Sequence, residues 1–102
     1  MAYKMTQPKA APDDFQSGAD VAFSFKARGI GEPRTLEVTY SSDDVKLDGK
    51  RRQKVTRKIG TTNTAIDKTF KVTGKAGEWE VAVDTTDQDE SESDIVLVNI
   101  ET

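Results

Sequence analysis

Two oppositely charged runs hold the residues of this chain best suited to chemistry. The first is acidic: Asp84, Asp87, Asp89, Glu90, Glu92 and Asp94 fall in a short stretch with no Lys or Arg. Carboxylates this dense are hard oxygen donors, and calcium takes six to eight such oxygens. Asp84, Asp87, Asp89 and Asp94 are the ligands that a calcium site here would use. The spacing Asp-x-x-Asp-x-Asp-Glu lacks the glycine that bends an EF-hand loop. Two other readings therefore compete with a metal site: a solvated loop held open by its own repulsion, and a contact for a basic partner.

The second run is basic. Lys46, Lys50, Arg51, Arg52, Lys54, Arg57 and Lys58 are interrupted by a single acid, Asp48. Such a cluster could meet phosphates, but no aromatic residues are interleaved to stack bases, and the net charge is −3. An acidic protein surface suits it better than nucleic acid. Lys50, Arg51, Arg52 and Lys54 are the docking candidates.

Catalysis finds little support. There is no cysteine and no histidine, which removes thiol chemistry, the common zinc sites and a histidine proton relay. Glu78 and Glu80 are paired carboxylates, but strand alternation puts both on a solvated face. No serine has a histidine base, and no glycine-rich loop has the spacing of a phosphate cradle. The expectation is a protein that is not an enzyme and needs no cofactor, calcium being the one ion to consider.

The elements that carry these runs read as strands. Trp79, Val81 and Val83 alternate with Glu78, Glu80 and Ala82, and Val21, Phe23, Phe25 and Ala27 alternate with Ala22, Ser24 and Lys26. Leu36, Val38 and Tyr40 follow the same period of two, which sends one face to a core and the other to water. Ile66, Phe70 and Val72 mark a further strand, and a short one is expected around Phe15. Asp48-Gly49 is a favoured type I′ pair and predicts a tight turn. The strand after it, 51–59, is thinly apolar and reads as a sheet edge guarded by cations. Residues 84–93 read as a long acidic loop. Ile95–Ile100 is apolar on both faces apart from Asn99, which predicts burial on both sides, or one face covered by the arm or by a partner.

At 102 residues, 34% hydrophobic and 32% charged, the chain is long enough for one domain with a thin core. Residues 1–12, with two prolines and two lysines, read as an extended arm, and residues 13–102 as the domain. Tyr3, Lys4 and Met5 are the arm's candidate anchors, since aromatic groups dominate interface energies. The first residues lack the apolar core of a signal peptide, and no stretch is long and apolar enough to span a membrane.

The stretches Asp20–Ala27 and Thr35–Tyr40 resemble the B and C strands of bacterial and phage immunoglobulin-like domains of the PKD and fibronectin III kind. Gly77–Asp84 and Asp94–Ile100 resemble the F and G strands. The chain departs from antibody-type domains in lacking both cysteines, and its tryptophan falls in the F-like strand. The resemblance implies an all-β, immunoglobulin-like antiparallel β-sandwich of about seven strands with an extended N-terminal arm. It also implies a non-catalytic role as a virion accessory protein, of the capsid-decoration or cement type. Such a protein is made in the host cytoplasm and docks on a capsid or tail subunit. Self-association is a further expectation, because opposite charges on one subunit suit contacts between copies. The alternative is a surface- or carbohydrate-binding module of an extracellular bacterial protein.

Overall fold

The structure, a computed structural model, describes residues 2–88 and 90–102. Every regular element among them is a strand: β1 (Tyr3–Met5), β2 (Lys9–Ala11), β3 (Asp14–Gln16), β4 (Ala19–Gly29), β5 (Arg34–Ser41), β6 (Lys46–Leu47), β7 (Arg52–Ile59), β8 (Thr64–Thr73), β9 (Gly77–Thr86) and β10 (Ser91–Glu101). They form two sheets. The first has the order β1-β4-β8-β6, with β2 also paired to β4; the second has the order β3-β10-β9-β5-β7. The molecule is elongated, 47 × 19 × 17 Å.

Alternation builds the core. Val21, Phe23, Phe25 and Ala27 of β4 and Ile66, Phe70 and Val72 of β8 are buried from the first sheet. Leu36, Val38 and Tyr40 of β5, Val81 and Val83 of β9, and Val96, Val98 and Ile100 of β10 are buried from the second. At the centre Phe23, Tyr40 and Phe70 form an aromatic triad with centroids 5.1–6.0 Å apart. Tilted and edge-on contacts of this kind add to the area that the rings bury.

Four features differ from the sequence reading. There are ten strands rather than about seven, because several pairings are too short to leave a periodic signature. The pairing is not wholly antiparallel, since β3 runs parallel to β10. The leading segment is extended, but it lies along β4 of its own chain through β1 and β2. The stretch 84–93 is not a long loop: β9 continues to Thr86 and β10 begins at Ser91. Polar residues can continue a ladder because the backbone makes the bonds, so side-chain polarity alone misplaces a hairpin's end.

The Asp48-Gly49 turn is present, with φ of 50° and 82° at its two central residues, as a type I′ turn requires. It joins two strands that do not share a sheet. β6 pairs with β8 in the first sheet, whereas β7 pairs with β5 at the edge of the second. The turn is thus where the chain changes sheet, and it leaves β7 as a free edge.

Candidate functional site

The basic cluster lies on the turn and on that free edge. Lys50, Arg51, Arg52 and Lys54 are all exposed, as are Arg57 and Lys58. Alternation along β7 sends Arg52, Lys54 and Lys58 to the outer face of the second sheet. Arg57 points inward and donates to the Asp67 carbonyl at 3.4 Å. Lys54 pairs with Glu37 of β5 at 3.3 Å, both about half exposed, while Arg51 donates to the Asp43 carbonyl. Among the described residues Lys46, Lys50, Arg52 and Lys58 form no ion pair.

The turn is anchored by its own first residue. The Asp48 N–H donates to the Lys71 carbonyl at 2.9 Å, and Asp48 Oδ1 accepts from the Lys71 N–H at 2.7 Å. The carboxylate thereby imitates one more residue of a β-ladder and fixes the direction in which the neighbouring cations point.

The arm candidates are placed differently from one another. Tyr3 is wholly buried within its own molecule. Its hydroxyl lies 2.8 Å from Thr85 Oγ1 and donates to the Thr85 carbonyl at 3.0 Å. Burial pushes its phenol pKa up, opposed by the Thr85 hydrogen bond. Met5 is half-buried against the core, and its sulfur accepts from Thr85 Oγ1. Lys4 alone of the three is exposed. Tyr3 is therefore occupied inside the fold. Thr85, a buried hydroxyl in an otherwise apolar phase, is the residue that sequence reasoning passed over; the only signal was its place two residues after Val83.

The acidic run is divided by the hairpin. Asp84 pairs in register with Ser93 and Asp94 with Val83. Asp84 therefore takes the outer phase and Asp94 the inner one, so the two do not converge. Asp84 Oδ1 accepts from the Ser93 hydroxyl. Asp87 is held between Arg34, at 3.3 Å, and the Glu90 N–H, at 2.8 Å, and its side chain is only 4% exposed. Glu90 Oε1 accepts from the Ala2 N–H at 2.7 Å. Asp89 lies outside the described residues. Among the described residues no group of three or more carboxylates is placed to hold a metal ion. What the hairpin loop visibly does is tie down the leading segment.

The outer face of the second sheet carries a lateral charge pattern. The registers set Ile95, Ala82, Ser41 and Arg52 in one row and Ser93, Asp84, Thr39 and Lys54 in the next, with Leu97 beside Glu80. The outer face thus carries Ile95 and Leu97 among polar residues on β10, Glu78, Glu80 and Asp84 on β9, hydroxyl groups and Glu37 on β5, and cations on β7. Ile95 and Leu97 are 43% and 52% exposed, so the second apolar face of β10 is uncovered. On its edge, Gln7 Nε2 donates to the Ile95 carbonyl at 3.3 Å.

At one end of the molecule Trp79 borders an open hollow shared with Lys46, Arg51, Lys75, Asp43 and Asp44. Its ring packs over Gly77, and its indole N–H donates to the Lys75 carbonyl at 2.8 Å. The tryptophan keeps the inward phase of β9 but is only half-buried, because the sandwich ends there.

No protein-family model matches the chain, and no curated protein matches it. Among the solved structures that share the fold are two enzymes. One is the alkylpurine DNA glycosylase AlkC of Pseudomonas fluorescens, bound to DNA containing an abasic site analog. It aligns with a TM-score of 0.61 and 17% identity over 93% of this chain and 30% of that one. The other is a family 123 glycoside hydrolase from Clostridium perfringens. It aligns with a TM-score of 0.61 and 6% identity over 96% of this chain and 26% of that one. The chain spans less than a third of either structure, and at these identities the likeness is one of fold.

Proposed function

We propose that this protein is a non-catalytic docking module, an accessory on a viral particle, which engages an acidic protein surface through the basic turn and the free β7 edge. The observation that carries the reading is the placement of Lys50, Arg51, Arg52 and Lys54. All four are exposed on one turn and one unpaired strand edge, whose direction Asp48 fixes. Exposed ion pairs contribute only about 0–1 kcal/mol each, so the cluster steers and orients a partner, and the accompanying contacts hold it.

The immunoglobulin-like reading is supported by strand positions. On this reading β2-β4-β8-β6 would correspond to the A-B-E-D sheet, and β5-β9-β10 to C-F-G. β7, beside β5, is an addition to that plan, and it is the strand that carries the cations. A domain of this kind offers surfaces and edges for holding a neighbour.

The experiment is co-sedimentation with particles purified from a producing culture. The native protein is expected to travel with the particle through a density gradient. The fourfold reversal of Lys50, Arg51, Arg52 and Lys54 to Glu is expected to stay at the top while keeping the native melting temperature. Equal retention of both proteins would reject the docking edge.

The Trp79 hollow favours a second reading, a surface- or carbohydrate-binding module. A half-buried indole beside Lys46, Arg51 and Lys75 suits a sugar ring carrying a carboxylate. Titration with acidic oligosaccharides would then shift the tryptophan fluorescence, and an unchanged spectrum would remove this alternative.

A further inference from the structure

We propose that β7 takes up an extended acidic segment of a partner as one more antiparallel strand of the second sheet. This rests on the reading of β7 as a docking edge and deepens it by naming the partner's conformation and charge pattern. β7 is an eight-residue strand that pairs with β5 on one side and with no strand on the other, among the described residues. The Ser42 N–H donates to the Arg51 carbonyl at 3.0 Å, so those two opposed residues are a hydrogen-bonded pair. Backbone bonds of an antiparallel pair recur at every second residue. Residues 53, 55, 57 and 59 therefore turn their N–H and C=O groups to β5. Arg52, Lys54, Thr56 and Lys58 turn theirs to solvent.

Free backbone and charge thus coincide on the same residues. In an added antiparallel strand, the residue directly opposite each outward one shares its sheet face. Acids opposite Arg52, Lys54 and Lys58 would stand beside cations on the outer face. The intervening residues of the incoming strand would lie in the phase of Gln53, Val55 and Arg57. Val55 is half-buried and packs on the core, which suits an apolar neighbour. The segment that fits therefore alternates acidic with apolar residues. Lys54 already pairs with Glu37, so Arg52 and Lys58 contribute most to setting the register.

Cations on a sheet edge generally oppose strand addition. Here they make it selective. A second copy of β7, fully overlapped and antiparallel, would set Arg52 against Lys58, and like charges directly opposite are destabilising. An acidic strand turns the same charges into attraction. Two other strands are uncovered along part of their length: β8 before Lys71 and β10 before Asn99. By the same alternation their outward residues are Ala65, Asp67 and Thr69, and Ser93, Ile95 and Leu97. Neither row holds a cation, and Arg57 and Gln7 already donate to the Asp67 and Ile95 carbonyls.

The probe is the end-blocked peptide Glu-Val-Thr-Val-Glu-Val-Glu, whose acids fall opposite Lys58, Lys54 and Arg52 in the antiparallel sense. The isotopically labelled full chain is titrated with it and followed by NMR. Binding should weaken about tenfold or more between low salt and about 0.5 M salt. The amides of Arg52, Lys54, Thr56 and Lys58 should shift and exchange more slowly, while those of residues 53, 55 and 57 change less. The same peptide N-methylated at its glutamate and threonine residues keeps every charge but loses the donors that face β7. It should bind at least about tenfold more weakly. Thr56→Pro removes one outward N–H and leaves all charges in place; folded, it should show a similar loss. The methylated peptide decides the matter on the native chain should that variant unfold. Absent binding of the acidic peptide, equal binding of the methylated one, equal binding by folded Thr56→Pro, or unchanged amides across residues 52–58 would each overturn the proposal. If it falls while reversal of the four cations still releases the protein from particles, the added strand is refuted and the docking edge survives. If the peptide adds as a strand while the reversed variant stays on particles, the strand stands and the particle reading falls.

Discussion

Two tyrosines show how much rests on single hydroxyl groups. Tyr40 is wholly buried in the aromatic triad, and its hydroxyl has no hydrogen-bond partner among the described residues. Burial pushes its pKa up to about 12, with the Arg57 guanidinium pulling the other way. An unpaired buried hydroxyl costs about 1–3 kcal/mol, so Tyr40→Phe, which keeps the ring, should raise stability by about 1 kcal/mol in urea unfolding with an unchanged m-value. Tyr3 is the opposite case. Its hydroxyl is bonded to Thr85, and Tyr3→Phe strands those acceptors, lowering stability by about 1–2 kcal/mol in the same assay.

Both phenols ionise later in the folded chain than in the unfolded one, whose value is 10.0. As pH rises past that value the unfolded chain releases these protons first. The contribution of these phenols to stability is therefore constant below about pH 10 and is lost from there through about 12. Thermal melts of Tyr40→Phe across that window should decline less steeply than those of the native chain; equal slopes would contradict the assignment of the shift to Tyr40.

At the scale of elements, the Asp48-Gly49 turn decides where β7 goes. Asp48→Ala removes the acceptor for the Lys71 N–H and places alanine at a positive φ. The expected loss is about 1–3 kcal/mol, measured by chemical denaturation. Gly29, the last residue of β4, has no room for a side chain: an added Cβ would lie 2.0 Å from the Glu32 carbonyl oxygen. Gly29→Ala should therefore cost at least about 2 kcal/mol.

The long strands were legible in the sequence because their apolar residues keep a period of two. β4, β5, β9 and the inner face of β10 appear where the alternation of Val21–Ala27, Leu36–Tyr40, Trp79–Val83 and Val96–Ile100 puts them. β1 and β2 were not legible, since three-residue pairings contain too few alternations to stand out from an extended arm. The ends of the β9–β10 hairpin were hidden for another reason. Thr85, Thr86, Ser91 and Glu92 are polar, yet they continue the ladder through backbone bonds. Apolar residues on both faces of β10 predicted burial on both sides, or one face covered by the arm or by a partner. The fold buries one face and leaves Ile95 and Leu97 on the other exposed.

At the scale of the molecule, the separation of charge along the sequence survives folding in an altered form. The basic run becomes a free edge. Part of the acidic run turns inward, where Asp87 meets Arg34 and Glu90 meets the Ala2 N–H. The edge position of β7 was legible because charged residues on a thinly apolar strand belong at an edge. The carboxylates were not, because the sequence does not show which of them alternation turns to opposite sides of one hairpin. The leading segment pairs with β4 and buries Tyr3, so removing residues 2–12 should unfold the chain at a markedly lower temperature.

Docking through the β7 edge and docking through the leading segment differ in which segment a partner covers. Backbone hydrogen exchange, followed by mass spectrometry on the free protein and on the protein bound to purified particles, measures this directly. With β7 as the docking edge, amides of β1 are already protected in the free protein and change little, while amides along the free edge of β7 gain protection only on binding. Free exchange across residues 3–11 in the isolated protein, lost on the particle while β7 stays unchanged, would contradict it.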